Sequence, residues 1–145
     1  MPAQGQIISP TTSQIVTNGS QTQITGGVAV DTNLFHEFSL FDVNAGTTAT
    51  FIVPASVENV LGRVTGGQSS SIEGQLAVTN SANLWLINPA GIVFGPDASL
   101  NLQGDFNAAT ADAVGFEMGW FAENSDYALL TGLLTALGLR LSRPI

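Results

Sequence analysis

Short apolar pairs recurring every eight residues, turn formers between them and a nearly charge-free composition together predict an all-β fold. The pairs are Leu76/Val78, Leu84/Leu86, Ile92/Phe94 and Leu100/Leu102. The residue inside each pair (Ala77, Trp85, Val93, Asn101) points to the opposite face, as alternate residues on a strand must. Between the pairs lie Thr79-Asn80-Ser81-Ala82-Asn83, Asn88-Pro89-Ala90-Gly91 and Gly95-Pro96-Asp97-Ala98, rich in residues that close turns. Strand, corner and strand without a break describe a chain winding round a triangular coil, three units to a rung: a three-faced parallel β-helix. An antiparallel meander in a small sandwich is the alternative that alternation leaves open. The corners lack the Asn-Gly or Asp-Gly of two-residue hairpins, and the pairs keep one phase, which favours the coil.

The elements before the repeat follow the same logic. Residues Gln6 to Val30 alternate weakly, with Ile7/Ile8, Ile15/Val16, Ile24 and Val28/Val30 set among Thr, Ser, Gln and Gly, and read as two or three short strands. A solenoid whose first coil met water would expose its apolar end, so residues 1–30 are the expected cap. Phe35, Phe38 and Phe41 lie within seven residues and read as core packing rather than a stacking platform. Phe41/Val43 and Ala49/Phe51/Val53 alternate as strands around the turn Asn44-Ala45-Gly46. Ser56 to Arg63 reads as a helical turn or a loop, and Val64 to Ser71 as a bend. Beyond the repeat, Phe106 to Asp112 begins another coil, and Phe116 and Met118 fall on the eight-residue phase as a last one. The segment 128–145 is Leu-rich, broken by Gly132 and Gly138, and reads as a short helix or a final strand pair.

Composition narrows the function classes. At 145 residues the chain is one domain, 1–145, and 44% hydrophobic residues with a mean hydropathy of +0.29 exclude a disordered chain. Eleven acidic residues face only Arg63, Arg140 and Arg143, for a net charge of −8, which disfavours nucleic acid and an anionic membrane surface as partners. No apolar run reaches the roughly 18 residues of a membrane span, so no stable membrane insertion is expected. Cysteine is absent, which rules out a disulfide framework and suits an exported chain that stays unfolded until it leaves the cell. The opening MPAQGQIISP lacks the basic start and apolar run of a signal peptide, while Pro2-Ala3-Gln4 resembles the end of a cleavage site, with Met1 an added start.

Chemistry finds little footing. His36 is the only histidine, and no His/Cys spacing supports a metal site or a triad, so it reads as structural or surface. Nothing places two carboxylates across a cleft, although Asp105/Asp112 and Glu117/Glu123 are the pairs to weigh. A polysaccharide lyase on a β-helix would want a basic residue beside carboxylate-bound calcium, and cations are nearly lacking. Gly62 to Gly67 has neither the lysine nor the spacing of a phosphate loop. No catalytic residue, metal or cofactor is therefore expected. Trp85 alternates outward and is either covered by an extra sheet or part of a contact surface. Asn88-Pro89-Ala90-Gly91-Ile92 is a type I corner plus one core residue, read either as purely structural or as a contact for a partner.

The blocks Asn59-Val60-Leu61-Gly62-Arg63-Val64-Thr65-Gly66-Gly67, Ser71-Ile72-Glu73-Gly74-Gln75-Leu76 and Ala82-Asn83-Leu84-Trp85-Leu86-Ile87-Asn88-Pro89-Ala90-Gly91-Ile92-Val93-Phe94-Gly95, in that order, resemble the haemagglutination-activity domain of the filamentous haemagglutinin family, in its cyanobacterial-type branch. Ala90 stands where that family's motif usually has Asn. The resemblance implies a right-handed parallel β-helix with an amino-terminal cap and additional antiparallel strands. It implies a monomeric, non-enzymatic secretion-targeting domain at the head of a longer adhesin-like exoprotein. The partner implied is an outer-membrane β-barrel transporter of two-partner secretion, acting through its periplasmic polypeptide-transport-associated domains. The destination implied is the surface or medium of a Gram-negative-type cell, after transit through the periplasm. A surface carbohydrate-binding module is the alternative function.

Overall fold

The computed structural model describes residues 6–10, 13–110, 113–116 and 119–122. Sixteen strands follow one another in that span. The first coil holds β1 (Ile7–Ile8), β2 (Ser13–Asn18), β3 (Gln21–Gly26), β4 (Val28–Val30), β5 (Asn33–Phe38) and β6 (Leu40–Phe41). The second holds β7 (Thr48–Phe51), β8 (Asn59–Val64) and β9 (Ser70–Ile72), and the third β10 (Gln75–Val78), β11 (Asn83–Ile87) and β12 (Ile92–Phe94). The fourth holds β13 (Ser99–Asn101) and β14 (Phe106–Ala109), followed by β15 (Ala113–Phe116) and β16 (Gly119–Ala122).

Strands of successive coils pair in parallel, so the chain is a β-solenoid of about four turns. One sheet runs β13-β10-β7-β3-β2, a second β14-β11-β8-β5-β4, and a third joins β12 to β9, extended by a parallel bridge from Val43 to Ile72. The amino-terminal cap turns the pairing antiparallel: β2 lies on β3, β4 on β5 and β1 on β6.

Parallel register stacks like positions, and this is what builds the core. Ala49, Leu76 and Leu100 form one inward ladder, Leu34, Val60, Leu84 and Phe106 a second, and Val43, Ile72 and Phe94 a third. Phe38 and Phe41 of the first coil pack with Phe51 of the second, Phe38 and Phe41 lying edge to face at 4.9 Å. Each fully buried side chain of this kind contributes about 1.5–3 kcal/mol. The coils are unequal: Leu76 meets Leu100 24 residues on, Leu84 meets Phe106 after 22, and Ala49 meets Leu76 after 27. Corners of different length absorb the difference, which a uniform eight-residue unit does not anticipate.

Three expectations change against this frame. Residues 59–63 of the stretch read as a helical turn or loop, with Val64 of the expected bend, form β8, because Val60 and Val64 point inward beside Leu34 and Phe38. Phe116 belongs to an antiparallel pair, β15 with β16, and not to a further coil. Ile92/Phe94 and Leu100/Leu102 keep the inward phase but are not enclosed, Phe94 and Leu100 being exposed at the last rung. Of the two readings of Trp85, the covered one is what the fold gives, since it is only 5% exposed. It stacks in an outward row with Phe35 and Leu61, and these are covered too. The inner strands β5, β8 and β11 of the second sheet are thus buried on both faces, whereas the first sheet alternates, with Gln21, Gln23, Thr48 and Thr50 facing out. The Leu-rich segment 128–145 lies outside the described residues.

Candidate functional site

The corner at 88–92 is built by one buried amide. Asn88 follows the inward Leu86 and the covered Ile87 of β11 and is itself 1% exposed. Its Nδ2 donates to the Gln68 carbonyl and to Ser70 Oγ, each at 3.0 Å, and so ties the third coil's corner to that of the second. Its Oδ1 accepts from the Ala90 N–H at 2.9 Å, and its carbonyl accepts from the Gly91 N–H at 3.0 Å, which closes the turn. The backbone N–H of Asn88 donates to the Ala109 carbonyl of the fourth coil at 2.9 Å. Gly91 has φ +119, a conformation that side chains resist, and its carbonyl accepts from Ser70 N–H. The five residues therefore divide. Asn88 and Gly91 hold the corner, Pro89 and Ala90 project into solvent, and Ile92 packs half-buried against the core.

Next to this tip runs an open edge. Among the described residues β12, β13 and β14 each have a strand partner on one side only, namely β9, β10 and β11. Val93, of outward phase beside Ser71, is 58% exposed, and Leu100 and Phe94 are 48% and 44% exposed although their ladder neighbours Leu76 and Ile72 are fully enclosed. Among the described residues this is the open end of the stack.

A second constellation, missed in the sequence, is an asparagine ladder at the entry to the second sheet. Asn59 Nδ2 donates to Asn33 Oδ1 at 3.0 Å, and Asn83 Nδ2 to Asn59 Oδ1 at 3.1 Å. Asp105 ends the series through its backbone N–H, which donates to Asn83 Oδ1 at 2.8 Å. The signal was present: Asn33-Leu34, Asn59-Val60, Asn83-Leu84 and Asp105-Phe106 each place Asx before the inward residue that opens a strand of this sheet. Arg63 and Glu37 pair at 3.5 Å on the outer face of the same sheet. Among the described residues no group of three or more His, Asp or Glu is placed to hold a metal ion.

The described residues form a capped parallel β-solenoid whose corner at 88–91 is tied to the coil before it by a buried amide. The chain matches the model of the TPS (two-partner secretion) secretion domain over residues 4–135, and it belongs to that family. It shares its fold with the HMW1 secretion domain from Haemophilus influenzae, with a TM-score of 0.61 and 24% identity over 88% of this chain. The chain spans 29% of the length of that protein's structure. A search of curated proteins gives no match. Membership of that family gives the domain a secretion-targeting role in two-partner secretion.

Proposed function

We propose that this domain is the head of a longer β-solenoid exoprotein, recognised by the periplasmic polypeptide-transport-associated domains of an outer-membrane β-barrel transporter, and that it nucleates folding of the passenger outside. The passenger is adhesin-like, the cell Gram-negative in type, and the domain acts as a monomer, with residues 128–145 leading into the next part of the chain. The observation that carries the reading is the open rung. Phe94 and Leu100 occupy positions that are buried wherever a following coil exists, and one more coil would bury both and pair β12, β13 and β14. Each coil added outside the pore buries apolar side chains at about 1.5–3 kcal/mol apiece, which opposes backsliding.

The corner 88–92 serves this role twice. Threaded and unfolded, Asn88 to Ile92 is accessible to the transporter. Once folded, the Asn88 side chain is used internally and Pro89 and Ala90 alone form the tip. Trp85, being covered, takes no part in surface binding, and with it goes the main support for a carbohydrate-binding surface.

The test is co-expression, behind an export signal, with a candidate transporter, scoring the chain in the medium. Transporter-dependent release is the expected result, and retention in the periplasm with every plausible transporter would overturn the proposal. A passenger-bearing version carrying Leu100→Ser separates targeting from nucleation. The half-exposed side chain costs the domain itself less than about 1 kcal/mol, while folding of the passenger after release slows. Unchanged passenger folding would remove the nucleating role and leave the targeting one.

A further inference from the structure

The edge strand β2 is held to the first coil by a buried side-chain bond. His36 is an inward residue of β5 and is 1% exposed. Its Nδ1 lies 2.6 Å from Oγ of Ser13, the first residue of β2. The ring stacks on Phe38 at 5.9 Å and tilts against Phe51 at 5.5 Å. Gly27, with φ +87, wraps the Nδ1 edge so closely that a Cβ there would lie 3.0 Å from the ring's Cε1 and 2.7 Å from the Phe35 carbonyl oxygen. Nε2 is buried without a hydrogen-bond partner.

We propose that β2 is an acid-released cap strand, latched by the neutral His36 ring through Ser13 and freed when that ring takes a proton. A proton gives the imidazole a second N–H. If Nδ1–H already donates to Ser13, the new donor sits at Nε2 with no acceptor. If Nδ1 instead accepts the Ser13 hydroxyl, the ring already carries an unpartnered Nε2–H, and the second proton goes to Nδ1, where the hydroxyl turns to accept it. In both tautomers the cation is a charge buried among phenylalanine rings. Burial accordingly lowers the His36 pKa from 6.5 to about 4.

Neighbouring charges do not offset this. The segments β2, β3 and β7 packed on the ring carry no titratable side chain. Glu37 of its own strand and Arg63 of β8 lie on the opposite face and pair with each other. Since the closed state binds the proton more weakly than an open one, the latch is fully favoured above the ordinary histidine range and weakens as pH falls from about 6.5 to about 4. The loss is about tenfold per pH unit in that window.

The release is local because β2 is an edge strand, held otherwise by its ladder to β3 and by few buried side chains. Along β2, Ser13 is buried and Ile15 half-buried, with the other four residues exposed, whereas β11 is buried at all but its first residue. Strands with so little burial open first. Release bares the outer edge of β3, which stays anchored to β7 through the buried Ile24 and Phe51.

Hydrogen exchange on the full chain, read as protection factors corrected for intrinsic rates, tests this between pH 7.5 and pH 4.5. The cross-strand amides of β2 and β3 are expected to lose about 100-fold in protection, with those of β10 and β11 holding. In His36→Leu the loss disappears. A flat profile for β2, an equal loss in β10 and β11, or a loss that persists in His36→Leu overturns the proposal. Should His36→Leu fail to fold, Ser13→Ala decides. Low β2 protection already at pH 7.5 supports the latch, and parental protection there refutes it.

Discussion

Replacing Asn88 by Ala removes three hydrogen bonds at one point: those from Nδ2 to the Gln68 carbonyl and to Ser70 Oγ, and that from the Ala90 N–H to Oδ1. Their costs differ because water reaches them differently. Gln68 and Ala90 are exposed, so their freed groups rehydrate and each loss is near the low end, about 0.5 kcal/mol. Ser70 is 0% exposed, and its hydroxyl is left dry at about 1–2 kcal/mol. The variant should therefore be destabilised by about 2–3 kcal/mol in all, a large share of a net stability of roughly 5–15. Urea unfolding followed by tryptophan fluorescence measures this as a lower midpoint at unchanged slope. Asn88→Asp discriminates further. It keeps the acceptor for Ala90 but sets a carboxylate against the Gln68 carbonyl, so it should be no better than Ala. If Asn88→Ala stays within about 0.5 kcal/mol of the parent, or if Asp restores stability, the buried amide does not hold the corner and the assignment of Asn88 as its tie fails.

Two other substitutions probe the stack. Asn59→Ala interrupts the ladder between Asn33 and Asn83, both partners losing a bond, and chemical denaturation should show a loss of about 2 kcal/mol. Gly62→Ala puts a Cβ 3.1 Å from Cε2 of the buried Phe38, so overpacking should cost about 1–3 kcal/mol and lower the thermal midpoint, and Phe38→Leu in the same chain should recover part of it.

Much of the site could be read before any coordinates. Pro89 presets φ, Gly91 accepts a positive one and Asn88 begins a turn, so the corner was legible from residue types alone, and the i to i+3 bond follows. The partners of the Asn88 side chain were not legible, because Gln68 and Ser70 lie about one coil back and no local pattern says which residues a corner overlies. His36 shows the same divide. Its neighbours in sequence allow either face, and only the stacking of β5 on β8, with Gly27 folded over the ring, puts it inside.

What the sequence by itself determined is the direction of each side chain, and with it the class of fold. Alternation at Leu76/Val78 and Leu84/Leu86 follows from strand geometry over two residues, and turn chemistry at 88–91 follows from the conformational limits of Asn, Pro and Gly. The tertiary structure alone decided which of those directions lead to burial. Leu76 and Leu100 are chemically identical and share one ladder, yet the first is enclosed between coils and the second stands 48% exposed at the last rung. Trp85 has the outward phase of a surface residue and is covered all the same. Burial is a property of what lies one coil away, some 22 to 27 residues along the chain, and the reach of a local periodicity ends well short of that.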